Sequence, residues 1–205
     1  GRLMVMANYH ITNLLPVSTA QLADEIAAAA QGDANVQAQL TATYSKDAYG
    51  SRDKALGAML TDDSFACHAN NDVGALSART PTWSYEFNAP TYSANINPYM
   101  PMGAFHGAEM GYLFQAKFPG LPLWTGLNAK QQVLADQMGH YWGNFAATGN
   151  PNGAGLPVWP TYNRIGTPVQ NLSLDGVAPL AAGAFQKDHQ CALWNTIWAA
   201  RSGTP

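Results

Sequence analysis

Ala129-Lys130-Gln131-Gln132-Val133-Leu134-Ala135-Asp136-Gln137-Met138-Gly139-His140-Tyr141-Trp142-Gly143-Asn144-Phe145-Ala146-Ala147-Thr148 is the most strongly periodic stretch of this sequence. Val133, Leu134, Met138, Tyr141, Trp142 and Phe145 recur at helical intervals, which predicts one long helix with a broad apolar face. Gly149 to Gly155, with Asn150, Pro151 and Asn152 inside it, ends that helix in a turn. Upstream the period changes to two. Trp83, Tyr85 and Phe87 alternate with Ser84, Glu86 and Asn88, the pattern of a half-buried strand. Between the two patterns, Asn88 to Pro101 reads as a long loop rich in Asn, Pro, Ser and Tyr, and Gly107 to Phe114 as a short helix. Beyond them, Asn171 to Leu174 is a late strand and Phe185 to Ala199 a C-terminal helix.

The N-terminal third is helical in small pieces. Residues 1 to 11 alternate poorly and read as a strand end running into a loop. Ser18 and Gln21 stand at capping-box spacing, ahead of Leu22, Ile26 and Ala29, so a first helix runs to about Gly32. A second uses Val36, Leu40 and Tyr44 and ends before Gly50. A third begins around Arg52, carries Leu56, Met59 and Leu60, and restarts after an Asp62-Asp63-Ser64 cap with Phe65, Cys67 and Val73. Three small helices in a row read as an insertion or a cap. Helices interleaved with so few strands fit part of an α/β protein better than a whole one.

Composition narrows the function classes. A chain of 205 residues suffices for one domain with a sizeable core. Charged residues make up 11%, against about 25% in a typical soluble domain. Ten basic against thirteen acidic residues give a net charge of -3, which argues against the clustered basic face of a nucleic-acid binder. Six Trp, nine Tyr and seven Phe argue against disorder. No apolar run approaches the roughly 18 to 20 residues of a membrane helix. The first residues, Gly1-Arg2-Leu3-Met4, carry neither an initiator Met nor a signal peptide, so the start reads as internal.

Five histidines are candidates for chemistry: His10, His68, His106, His140 and His189. His140 lies in the long helix among aromatic residues and reads as a packed or half-buried structural side chain. His10 has no readable partner. His106 differs, because Gly103 and Gly107 flank it and let the backbone turn sharply, leaving the ring accessible as a general base requires. No serine has glycine at both minus two and plus two, so no nucleophile elbow is present, and no phosphate-cradling loop, H-E-x-x-H or C-x-x-C occurs. Cys67 and Cys191 leave three states open. They could form a disulfide, remain free thiols, or join His68 and His189 in a loose two-Cys, two-His zinc site. A disulfide, the favoured state, would place the protein outside the reducing cytosol, secreted or periplasmic. Asn171-Leu172-Ser173 is an N-glycosylation sequon.

Read together, several segments are distinctive. Phe105-His106-Gly107-Ala108-Glu109-Met110-Gly111-Tyr112-Leu113-Phe114 resembles the segment around the catalytic histidine of type-B carboxylesterases, the cholinesterase-like branch of the α/β-hydrolases. Tyr141-Trp142-Gly143-Asn144-Phe145-Ala146-Ala147-Thr148-Gly149-Asn150-Pro151-Asn152, followed by Trp159-Pro160-Thr161-Tyr162, is similar to a helix and turn of that family. Asp63-Ser64-Phe65-Ala66-Cys67 and Trp83-Ser84-Tyr85-Glu86-Phe87 resemble the helix and strand leading to the histidine, and Cys191-Ala192-Leu193-Trp194-Asn195 the C-terminal cysteine helix. The matches run in family order across nearly the whole chain.

The resemblance implies the C-terminal part of a single α/β-hydrolase domain over residues 1–205, made of helices and the last strands of the central sheet. It implies a serine esterase working through a Ser-His-Glu triad and an acyl-enzyme, with no cofactor or metal. His106 would be the base and Glu109 a supporting carboxylate, whose plainer reading is a helix N-terminal acid favoured by the dipole. Leu3, Met4 and Met102 would line the substrate pocket, and Cys67 and Cys191 match a family disulfide. Leu3, Met4 and Pro98 stand where cholinesterases carry aromatic rings, so a general or bulky carboxylic ester is favoured over a choline ester. The serine, the oxyanion loop and the acid belong upstream in this family. Gly1-Arg2-Leu3 looks like the residues directly after the acid, so an upstream portion of the same esterase is the expected partner, together with a small-molecule ester. The alternative is a non-catalytic, cholinesterase-like binding or adhesion module, which has no need of the base.

Overall fold

The computed structural model describes residues 16–90, 103–115 and 126–202. His10, Leu3, Met4, Pro98 and Met102, with the first eleven residues and most of the long loop, lie outside the described residues. The chain divides into two compact units, Arg2–His68 with Gln186–Pro205, and Ala69–Phe185.

The first unit is helical: α1 (Thr19–Ala30), α2 (Ala34–Thr43), α3 (Lys46–Tyr49), α4 (Arg52–Thr61), a π-helical turn over Asp62–Ala66 and, from the C-terminal end, α9 (Cys191–Ser202). Between them in the chain come α5 (Cys67–Leu76) and α8 (Ala184–Asp188). Local chemistry sets most of the boundaries. Ser18 and Gln21 form the expected capping box, and α1 stops at Gln31 and Gly32, both in the left-handed region. Asp33, Ser45 and Ser51 each accept backbone N–H groups at the start of the next helix. The second predicted helix ends earlier than its pattern, at Thr43, because Ser45 caps the separate turn α3.

A larger departure concerns Asp62. The Asp62-Asp63-Ser64 stretch does not cap a new helix; the backbone passes from α4 through one π-helical turn into α5 without a break. Asp62 is fully buried, and its carboxylate is satisfied by long-range partners. One oxygen accepts the Tyr44 hydroxyl at 2.9 Å and the other lies 2.6 Å from His189 Nδ1. Trp194 Nε1 donates in turn to the Tyr44 hydroxyl at 2.7 Å. A buried carboxylate is tolerated only when bonded in this way. The same network breaks the predicted C-terminal helix. His189 turns inward, Gln190 adopts a left-handed φ of 53°, and α9 starts afresh at Cys191.

Cys67 and Cys191 form a disulfide with both residues buried and their Cα atoms 5.2 Å apart. This closes the free-thiol and zinc alternatives, since both sulfurs are consumed. His68 meanwhile stacks on Trp198, with ring centroids 3.9 Å apart.

The second unit carries β1 (Tyr85–Phe87), α6 (Met110–Phe114), α7 (Ala129–Thr148), β2 (Gln170–Ser173) and β3 (Gly176–Pro179). The strands form one sheet in the order β1-β2-β3. β1 runs parallel to β2 with Tyr85 opposite Gln170, and β2 antiparallel to β3. The sequence pattern missed β3; Asp175-Gly176, with Gly176 at φ 134°, was the hairpin signal. Phe87 and Leu172 share a face and pack with Leu134, Ala135, Met138 and Tyr141 of α7 and with Tyr112 of α6. α7 has the predicted bounds, from the Asn128–Gln131 capping box to Gly149 at φ 74°. Its apolar face is only partly covered, with Val133 60% and Phe145 51% exposed. His140 is exposed rather than packed, because Leu134, Met138 and Tyr141 define the buried stripe and His140 falls outside it.

Burial raises the hydroxyls of Tyr44, Tyr85, Tyr112 and Tyr141 above the ordinary tyrosine value of about 10. The Asp62 carboxylate adds to the effect at Tyr44, and Glu109 at Tyr85. Above that ordinary value the unfolded chain releases these protons while the folded chain keeps them, so stability falls as pH rises. The expected result is a denaturation midpoint that is steady through neutral pH and declines steadily above about pH 10. Chemical unfolding across alkaline pH, with tyrosinate absorbance followed in parallel, checks it.

Candidate active site

His106 sits on a tight turn between two glycines in the left-handed region, Gly103 at φ 56° and Gly107 at φ 84°. A side chain at either position would be strained, which is why glycine stands on both sides. Ala108 N–H bonds to Phe105 C=O at 2.9 Å, and Met110 N–H to Gly107 C=O at 3.1 Å, carrying the turn into α6. The ring itself is exposed.

The turn is anchored from below. Ala108 and Tyr112 are buried, and the Tyr112 ring meets Phe87 of β1 edge-on at 5.1 Å. The Tyr112 hydroxyl donates to Pro90 C=O at 2.8 Å. Strand, following segment and helix are thereby linked by one buried tyrosine, and the histidine is carried on the sheet rather than on a free loop. Glu109 is half-buried at the N-cap position of α6 but makes no capping bond with its side chain. Its carboxylate acts instead on Tyr85.

Beside β1 the aromatic residues form a wall. Tyr85 meets Trp142 at 5.2 Å and Trp159 at 5.9 Å, and Tyr141 meets Trp159 at 5.2 Å, all edge-on. Together with Trp83 and Phe145 they line a cavity of about 350 Å³. The turn after α7 sets Trp159 in place. Asn152 Oδ1 accepts Trp159 N–H at 2.7 Å, Asn152 Nδ2 donates to Trp159 C=O at 2.9 Å, and the indole N–H reaches Ser84 C=O at 3.0 Å. Replacing Asn152 with Ala removes both backbone bonds. It should cost about 2 kcal/mol at roughly 1 kcal/mol per bond, read as a shift in the denaturation midpoint with tryptophan fluorescence as the signal. An unchanged midpoint would mean that the turn holds without its clamp.

The sequon residue Asn171 is half-buried in β2, and its Oδ1 accepts from Asn88 Nδ2 at 2.8 Å. The structure packs Phe105, Ala108 and Tyr112, which flank His106, with Phe87 of the strand that precedes them. The buried network in which Asp62 meets Tyr44 and His189, with Trp194 bonded to the Tyr44 hydroxyl, is not legible in the sequence, since its only local signal is an acid within a helical stretch.

A family model described as the carboxylesterase family matches residues 5–194 of the chain. The chain belongs to the carboxylesterase family. The family's fold is the α/β-hydrolase fold, and the parallel β1–β2 pair flanked by α6 and α7 is consistent with part of it. Liver carboxylesterase 1 of Oryctolagus cuniculus is 33% identical over 137 residues, covering 66% of this chain and 22% of the relative. Cocaine esterase of Homo sapiens is 34% identical over 137 residues, 66% of this chain and 23% of the relative. Carboxylesterase 1E of Mus musculus is 38% identical over 134 residues, 62% of this chain and 21% of the relative. This carboxylesterase-family chain thus matches less than a quarter of the length of each of these relatives.

Proposed function

We propose that this chain supplies the general base, His106, of a serine carboxylesterase. In this reading the nucleophilic serine, the oxyanion donors and a glutamate come from an upstream portion of the same protein. The observation that carries the reading is the presentation of His106, an exposed imidazole between two left-handed glycines on a buried Ala108–Tyr112 anchor. Family membership supplies the reaction class.

The imidazole takes the serine proton as the hydroxyl oxygen adds to the ester carbonyl, and returns it to the alcohol as that group leaves. It then takes a proton from water, which attacks the acyl-enzyme. The proton goes back to serine as the carboxylic acid departs. The glutamate orients the ring and stabilises the imidazolium, and Glu109 supports the site electrostatically from the start of α6. The substrate is a general carboxylic ester. Apolar side chains left exposed in the same unit, Met110, Phe114, Val133 and Phe145, support the need for a covering portion. The disulfide is compatible with folding in an oxidising compartment, secreted or periplasmic, where Asn171 would be the glycan acceptor.

Denaturing mass spectrometry after treatment with a fluorophosphonate tests the division of labour. The adduct should appear on a serine of the upstream portion, and the 205-residue chain should stay unlabelled. No adduct anywhere would overturn the reading and favour a binding module, and an adduct on a serine of this chain would overturn the assignment of the nucleophile to the upstream portion.

A further inference from the structure

In the helical unit, α1, α2 and the segment that follows them border an open cavity of about 330 Å³ that plays no part in the site above. Its size falls at the lower end of small-ligand pockets, which span about 300–1,000 Å³. Leu22 and Ile26 form an apolar floor with Tyr44, and all three are buried. The Tyr44 hydroxyl is committed to Asp62, so its ring is what remains for the cavity. Lys46 and Arg52 stand at the lining, and no acidic residue does, among the described residues.

Arg52 Nε donates to Val17 C=O at 2.7 Å, which steadies the guanidinium and leaves both terminal nitrogens for another acceptor. Asp53, next in sequence, instead accepts Val17 N–H at 3.0 Å. Neither Lys46 nor Arg52 forms an ion pair among the described residues. An apolar floor beside two cations that have no ion pair among the described residues complements an anion with an alkyl tail. The planar fork of arginine fits a carboxylate in particular.

We propose that this cavity binds an aliphatic carboxylate, its tail on Leu22 and Ile26 and its head between Lys46 and Arg52. The site is independent of His106 and of the reaction assigned to it. Sodium octanoate is the probe, titrated calorimetrically into the full chain, with octan-1-ol supplying the tail without charge and sodium acetate the charge without tail. Octanoate should bind saturably and more tightly than either. Lys46→Gln should weaken it about five-fold, the size of one solvent-facing charge contact. Ala23→Glu, at an exposed lining position of α1, should abolish it by placing a like charge over the tail. His106→Ala should leave it unchanged. Equal binding of octanol or of acetate, indifference to both Lys46→Gln and Ala23→Glu, or loss in His106→Ala would each overturn the proposal.

Discussion

His106→Ala in the assembled esterase should lower kcat by roughly four to six orders of magnitude, the range seen when a triad base is removed. In the proposed mechanism the loss falls in kcat because the imidazole acts only as the proton moves. Substrate contacts are untouched, and KM should change little. Stability should stay within about 1 kcal/mol of the parent, since substitution of an exposed side chain usually costs little, and His106 is exposed while Ala108 and Tyr112 carry the anchor. The check is steady-state hydrolysis of a simple aryl ester, with unfolding curves recorded beside it. Near-normal turnover in a folded variant would remove the base from this chain and turn attention to the adhesion-type reading. Tyr112→Phe offers a graded companion. It removes the hydroxyl's bonds to Pro90 and Gln131 and keeps the ring, so turnover should fall modestly while the base itself is retained.

Removing the disulfide with Cys67→Ala and Cys191→Ala should destabilise the helical unit by about 4 to 5 kcal/mol in the chain-entropy model. The bond spans 124 positions and ties the two separate chain segments of that unit, residues up to 68 and from 186. Without it the unfolded chain regains the freedom of a very long loop, while the native packing loses only two sulfurs. The neighbouring Tyr44–Asp62–His189–Trp194 network still joins the same segments, so the variant should fold but unfold at lower denaturant. Urea titration of the oxidised parent against the double variant measures the difference. Equal midpoints would show that the buried polar network alone holds the segments together.

Much of the secondary structure was legible because it rests on neighbours three or four positions apart. Ser18 with Gln21 is a reciprocal cap whose partners lie within a single turn, and it formed as its spacing required; Asn128 with Gln131, a pair the sequence reading passed over, makes the same cap ahead of α7. Gly149 likewise ends α7 through a local backbone conformation. The motif around His106 was legible for a similar reason, since Gly103 and Gly107 act on the backbone beside the ring.

What escaped is non-local. Asp62 reads as a cap from its neighbours, yet His189 lies 127 positions away and makes that carboxylate a buried partner. The pairing of Tyr85 with Gln170 and the cover left off Val133 and Phe145 likewise depend on side chains far along the chain. Local chemistry along this chain therefore settles the reciprocal caps and the glycine-ended turns, including the turn that carries His106. Burial, strand register and the bonding of a buried charge are settled by long-range packing, because each depends on the free energy of groups that meet only once the chain is folded.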